Sequence, residues 1–74
     1  MRKFFVSYLA NKEPKNDSIV LYEKECESAK EGKLAWMVWK EIREREKSGS
    51  YKKDIVLINF WEIYDRNLKI EYIV

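Results

Sequence analysis

The stretch Asp54-Ile-Val-Leu-Ile-Asn-Phe-Trp-Glu-Ile-Tyr64 reads as a strand that is apolar on both faces. Side chains alternate along a strand, which sets Ile55, Leu57, Asn59, Trp61 and Ile63 on one side and Val56, Ile58, Phe60, Glu62 and Tyr64 on the other. A sheet built on such a strand needs cover on both faces. The chain offers one helix, enough for one face, so the second face is expected to meet another molecule.

Working outward, residues 3–10 read as a first strand with the same two-sided character. Phe4, Val6, Tyr8 and Ala10 share one face, and Phe5, Ser7 and Leu9 the other. Residues 11–18 collect turn formers and charges around the only proline, which predicts a mobile hairpin loop, with a second strand following over 18–24. Ser28 and Glu31 have capping-box spacing and predict a helix running to about Lys47, with Gly49 as its left-handed terminator. Gly32 in the early turns costs about 1 kcal/mol against alanine and moves the effective start toward Lys33.

Within that helix Leu34, Ala35, Val38 and Ile42 form one stripe, ended by Arg45, whose stem covers apolar surface while its head reaches water. Trp39 falls at the edge of the stripe, and Trp36 on the far side among Lys40, Arg43 and Lys47. Residues 65–67 predict a turn into a last strand. Leu68, Ile70, Tyr72 and Val74 alternate there with the charged Lys69 and Glu71, as in a half-buried edge strand. The fold predicted is α+β: β-β-α-β-β, one antiparallel or mixed sheet in spatial order 2-1-3-4, with the helix packed on one face.

Seventy-four residues make a single domain, 1–74, that buries only roughly 60% of its unfolded surface and gains from association. At 46% hydrophobic and 15% aromatic, with two glycines and one proline, the composition is that of a folded chain. Fifteen basic against thirteen acidic residues leave a charge of +2, with the signs interleaved, so no polyelectrolyte partner is demanded. The lone Cys26 excludes an intrachain disulfide and suits a reducing cytoplasm. The opening residues resemble a secretory leader only superficially, because the apolar stretch is short and broken by Ser7. No apolar run approaches the ~20 residues that span a bilayer as a helix.

Histidine is absent, which removes the commonest general base and metal ligand together with Ser-His and Cys-His nucleophiles. Gly32 and Gly49 cannot build a phosphate-binding loop, and the acidic residues lack calcium-loop spacing. Glu23, Glu25 and Glu27 alternate ahead of the helix as a solvated strand end does, not as an acid–base pair. The expectation is therefore a protein without catalytic residues, metal or cofactor.

Two surfaces are candidates for binding. Trp36, Trp39, Lys40 and Arg43 on the helix form one, since tryptophan and arginine dominate protein interfaces. Phe5, Leu9, Leu57, Trp61 and Ile63 on the second sheet face form the other, assigned to self-association as a homodimer. The rival expectation is a single-stranded nucleic-acid binder that stacks bases on Phe5, Trp61 and Tyr51 beside Arg2, Lys3, Lys52 and Lys53. Against it, the face is aliphatic, and no RNP-like aromatic motif is present. A sponge for a signal molecule, with its pocket at a dimer interface, is a further alternative.

Lys-Phe-Phe-Val-Ser-Tyr (3–8) and Ile-Val-Leu-Ile-Asn-Phe-Trp-Glu-Ile (55–63) resemble the ends of a diffuse group of small proteins encoded by bacterial phages and prophages. The resemblance implies a phage accessory protein acting in the host cytoplasm. Such a protein binds and inhibits or modulates a host factor stoichiometrically, including defence components such as those of CRISPR or Hachiman.

Overall fold

The computed structural model describes residues 1–63 and 69–73. Strands β1 (Arg2–Ala10), β2 (Glu13–Leu21), β3 (Ile55–Ile63) and β4 (Lys69–Ile73) form one sheet in the order β2-β1-β3-β4. Every pairing is antiparallel. A 3-10 turn (Lys24–Ser28) and helix α1 (Glu31–Glu46) lie between β2 and β3. The α+β class and the 2-1-3-4 order follow the pattern expected from sequence. Tyr64, the turn at 65–67, Leu68 and Val74 lie outside the described residues.

The first hairpin is tighter than its sequence advertises. Asn11 and Lys12 both take positive φ, 49° and 69°, the geometry of a two-residue type I′ turn whose twist matches that of the flanking strands. Residues 13–18 therefore belong to β2 and not to a loop. Pro14 is accommodated because it faces Leu9, one step beyond the turn-closing pair Ala10–Glu13, at a position where the amide points away from β1.

The capping box does not form either. Ser28 ends the 3-10 turn, and the N-cap of α1 is Lys30, which makes no side-chain cap. Gly49 is left-handed at φ 60°, but it lies beyond the extended C-cap Lys47. It sits in a small turn closed by reciprocal bonds between the Ser48 and Tyr51 backbones, both 3.0 Å.

The core lies between α1 and one face of the sheet. Leu34, Met37, Val38 and Ile42 of the helix meet Phe4, Val6, Tyr8, Ala10, Ile19, Leu21, Ile55 and Phe60. Met37 joins the predicted stripe, while Ala35 stays at its margin. Phe60 carries an edge-on contact to Phe4 at 5.6 Å and stacks on Tyr72 at 4.9 Å, so three strands share one aromatic seam. Cys26 is fully buried under the 3-10 turn.

A bulge in β3 rearranges the faces. Ser7 pairs with Asn59 and Tyr8 with Leu57, leaving Ile58 as the extra residue. Strict alternation therefore fails along Ile55–Ile63. Ile55 and Leu57 lie on the helix side together with Phe60 and Glu62, while Val56, Asn59, Trp61 and Ile63 lie on the open side opposite Leu9, Ser7, Phe5 and Lys3. Leu57 packs against the core and is not part of the open face, which corrects its assignment to the self-association patch.

Candidate interaction surfaces

On the open face the cross-strand rows are set by register. Phe5 sits between Ser18 and Trp61, Lys3 between Val20 and Ile63, Ser7 between Asn16 and Asn59, and Leu9 between Pro14 and Val56. Phe5 and Trp61 contact each other at 5.6 Å with rings inclined at 44°. Phe5, Val56 and Ile58 are well exposed, at 39%, 48% and 45%. The polar row is quenched internally. Ser7 Oγ donates to Asn16 Oδ1 at 2.7 Å, and Asn59 Nδ2 donates to Glu71 Oε2 at 2.7 Å. Among the described residues no element of the chain covers this face.

Across the molecule, the outer side of α1 carries Trp36, which is 55% exposed with Lys40 Nζ 5.1 Å from its ring centroid. Arg43 makes the equivalent contact to Trp39, also at 5.1 Å. Helical spacing of four residues puts each cation over its ring. Trp39 is different in kind from Trp36: it packs against the core, and its Nε1 donates to the Ile55 carbonyl at 2.9 Å. The quartet expected from sequence thus divides into an exposed pair, Trp36 and Lys40, and an anchored pair behind it.

Sequence reasoning gave no role to the most tightly bound charge. Glu62 is 2% exposed and receives Arg2 through two bonds, Nε to Oε2 at 2.6 Å and Nη2 to Oε1 at 2.5 Å, with Tyr72 Oη donating to Oε1 at 3.2 Å. The remaining Arg2 nitrogen, Nη1, donates to the Cys26 and Ala29 carbonyls at the end of the 3-10 turn. Only the position of Glu62 on the face of Phe60 pointed to this pair. A second cluster gathers on Glu46, which accepts from Tyr8 Oη at 3.0 Å, Lys15 Nζ at 3.0 Å and Lys53 Nζ at 3.2 Å. The bond from Lys15, helped by those from Lys53 and Tyr8, holds the Glu46 carboxyl below its ordinary range against the effect of burial. Burial and the Glu46 carboxylate push Tyr8 up to about 12.

These clusters bear on the cations proposed for a nucleic acid. Arg2 and Lys53 are committed to Glu62 and Glu46. Tyr51 lies beyond the hairpin end of the sheet, where its hydroxyl receives Asn11 Nδ2 at 3.0 Å, away from the Phe5–Trp61 pair.

The β2 edge of the sheet is blunted at two of its outward positions, Pro14 and Ser18. Counting from the turn, Pro14, Asn16, Ser18 and Val20 turn their backbones outward. Pro14 has no amide to offer. The Ser18 amide is taken by Asp17 Oδ1 at 2.8 Å, and its carbonyl by Arg45 Nη1 at 2.7 Å, with Arg45 also bound to Asp17 Oδ2 at 3.0 Å. Proline and charged side chains on an edge are the usual protection against strand addition. A shallow groove of about 500 Å³ beside this edge is lined by Val20, Tyr22, Glu23, Glu41 and Arg45.

Among the described residues no three His, Cys, Asp or Glu side chains come together as metal ligands would, and no helix is long and apolar enough to cross a membrane. No protein-family model matches the chain, and no curated protein or solved structure matches it either.

Proposed function

We propose that this chain is a non-enzymatic binding module that associates with itself through its open sheet face and holds a different protein on the outer face of α1. The observation that carries this is the placement of two exposed aromatic surfaces on opposite sides of one small domain, Phe5–Trp61 on the sheet and Trp36–Lys40 on the helix. Such a domain can engage two proteins at once. Phe5, Leu9, Trp61 and Ile63 serve the first contact, with Val56 taking the place of Leu57. Trp36 and Lys40 serve the second, stiffened by Trp39 and Arg43. The phage-type resemblance of 3–8 and 55–63 directs the second contact toward a host protein, a defence component included, which the module inhibits or modulates by occupancy.

Affinity capture from a bacterial lysate tests this with three baits: the wild type, Trp36→Ala and Trp61→Lys. The expected result is a partner that copurifies with the wild type and is lost with Trp36→Ala. Identical capture by all three baits overturns the assignment.

Single-stranded nucleic acid is the second reading, favoured by the same Phe5–Trp61 pair beside the exposed Lys3. Quenching of tryptophan fluorescence by a short oligonucleotide, falling steeply with salt, would select it. Unchanged fluorescence with DNA and with RNA at low salt removes it.

A further inference from the structure

We infer that the outer face of α1 is a docking track for an acidic helix of another protein, laid lengthwise along the row Lys33, Trp36, Lys40, Arg43 and Lys47. This rests on the helix-face half of the function proposed above and names the chemistry of the partner.

The row follows from spacing. Its members recur at intervals of three, four, three and four residues, which keeps side chains in line along a helix. They lie on the side away from Leu34, Val38 and Ile42, and all are exposed except Arg43, which is half-buried over Trp39. Four are cations, the fifth is Trp36, and none is acidic. Lys40 is held over the Trp36 ring and Arg43 over that of Trp39, so two of the cations are already ordered. Among the described residues neither Lys33 nor Lys40 has an ion pair. Lys47, the C-cap of α1, ends the row and pairs with Glu44 at 3.2 Å.

The shape of the field selects the partner. Glu44 flanks the row on one side, held below its ordinary range by its bond from Lys47, and Glu46 lies beyond Trp39 on the other, turned to Tyr8, Lys15 and Lys53. The positive charge is therefore a line one side chain wide. A phosphate backbone or an anionic bilayer presents charge over a broad surface, and a chain of net charge +2 has no broad field to answer it. Binding a bilayer through α1 also needs its apolar side, which the core already holds. The cations stand at roughly 0, 10.5, 15 and 21 Å along the helix axis, steps that an acidic helix repeats and an extended chain, at ~6.7 Å per same-face residue, does not. Crossing α1 at about 20°, a helix with carboxylates at three-and-four spacing stays over the row along its whole length. Trp36 stands between Lys33 and Lys40 as the apolar anchor, ringed by polar contacts as interface tryptophans are.

Titration of the full chain with synthetic probes, followed by the Trp36 indole N–H resonance, tests the track. One probe is a helical peptide of three heptads with its glutamates in a single three-and-four row, and a second has the same composition with those glutamates spread around the helix. A short oligonucleotide and phosphatidylserine vesicles of equal total charge complete the set. Circular dichroism confirms that each protein variant is folded. The expected result is a Trp36 shift with the row peptide, and binding on the order of tenfold weaker for the spread peptide and for Lys40→Glu. Lys3→Glu, the same charge change on the open sheet face, should bind the row peptide as the wild type does. No Trp36 shift at millimolar row peptide overturns the inference. So do equal binding of the two peptides, equal losses in the two variants, or tighter binding of the oligonucleotide or the vesicles. A lysate partner that Trp36→Ala loses and Lys40→Glu keeps leaves the helix-face function standing and overturns the acidic partner alone.

Discussion

Arg2 forks Glu62 across sixty residues of chain, Nε to Oε2 at 2.6 Å and Nη2 to Oε1 at 2.5 Å, and thereby ties the first residue of β1 to the inner side of β3. Its third nitrogen closes the Cys26 carbonyl at 2.6 Å, so one guanidinium joins the sheet to the segment leading into α1. Breaking a buried pair on one side leaves a charge without its counterpart. Arg2→Met is therefore expected to destabilise the fold by about 3 kcal/mol, and Arg2→Met/Glu62→Leu to recover most of that, measured by urea denaturation. A single variant no less stable than the double one would show that Glu62 does not depend on Arg2.

The bulge at Ile58 makes neighbouring residues behave oppositely. Leu57→Ala removes a side chain packed on the core and should cost about 2 kcal/mol, whereas Val56→Ala, on the open face, should stay within about 0.5 kcal/mol in dilute, monomeric conditions. Equal losses at both positions would place the bulge elsewhere.

What the sequence hides here follows from its composition. An amphipathic strand exposes a bulge, because one extra residue throws its polar positions onto the wrong face. Residues 55–61 are apolar apart from Asn59, so the alternation runs through Ile58 without a visible break. Glu62 was legible in position, on the face of Phe60, but not in role, since its partner Arg2 is remote in sequence and periodicity is local. The four strands and the Leu34–Val38–Ile42 stripe were legible because each is written in local pattern, and the strand order because short connections leave few topologies. The first turn was not: Asn-Lys lacks the glycine that usually marks a type I′ hairpin, and Pro14 suggested a loop where an edge strand tolerates it.

That turn supplies a prediction of opposite signs. Lys12 is held at φ 69°, so Lys12→Gly should stabilise the protein by about 0.5–1 kcal/mol. Asn11 is different, because Oδ1 accepts the Asp54 amide at 2.9 Å and Nδ2 donates to Tyr51 Oη at 3.0 Å. Asn11→Gly is expected to lose about 1 kcal/mol net despite the easier backbone. Thermal unfolding of both variants decides the matter; a gain at both positions would deny the side chain its role.

Stability should fall off at both ends of the pH range through one cluster. Glu46 is depressed from 4.5 chiefly by its bond from Lys15, so its stabilisation is full above that value and is lost as pH falls below it. Tyr8 is raised from 10 to about 12, so its contribution is full below 10 and is lost as pH rises toward 12. Lys15, raised by the same carboxylate, fades in the same direction. Glu46→Gln should flatten both limbs of a urea midpoint against pH, and Tyr8→Phe the alkaline limb mainly. In ultraviolet titration Tyr8 should ionise near 12, and Tyr8→Phe should remove that step; a titration curve in which the variant loses a step near 10 instead would contradict the Tyr8–Glu46 bond.

The three tryptophans report on three different places, which makes their indole N–H resonances the most direct test of where this protein associates. Trp61 lies on the open sheet face, Trp36 on the outer face of α1, and Trp39 is bonded to the Ile55 carbonyl. On dilution of the pure protein from millimolar to micromolar concentration, the Trp61 resonance should move while Trp36 and Trp39 stay in place. Movement of Trp36 with a stationary Trp61, or no movement of any, would contradict association through the open face.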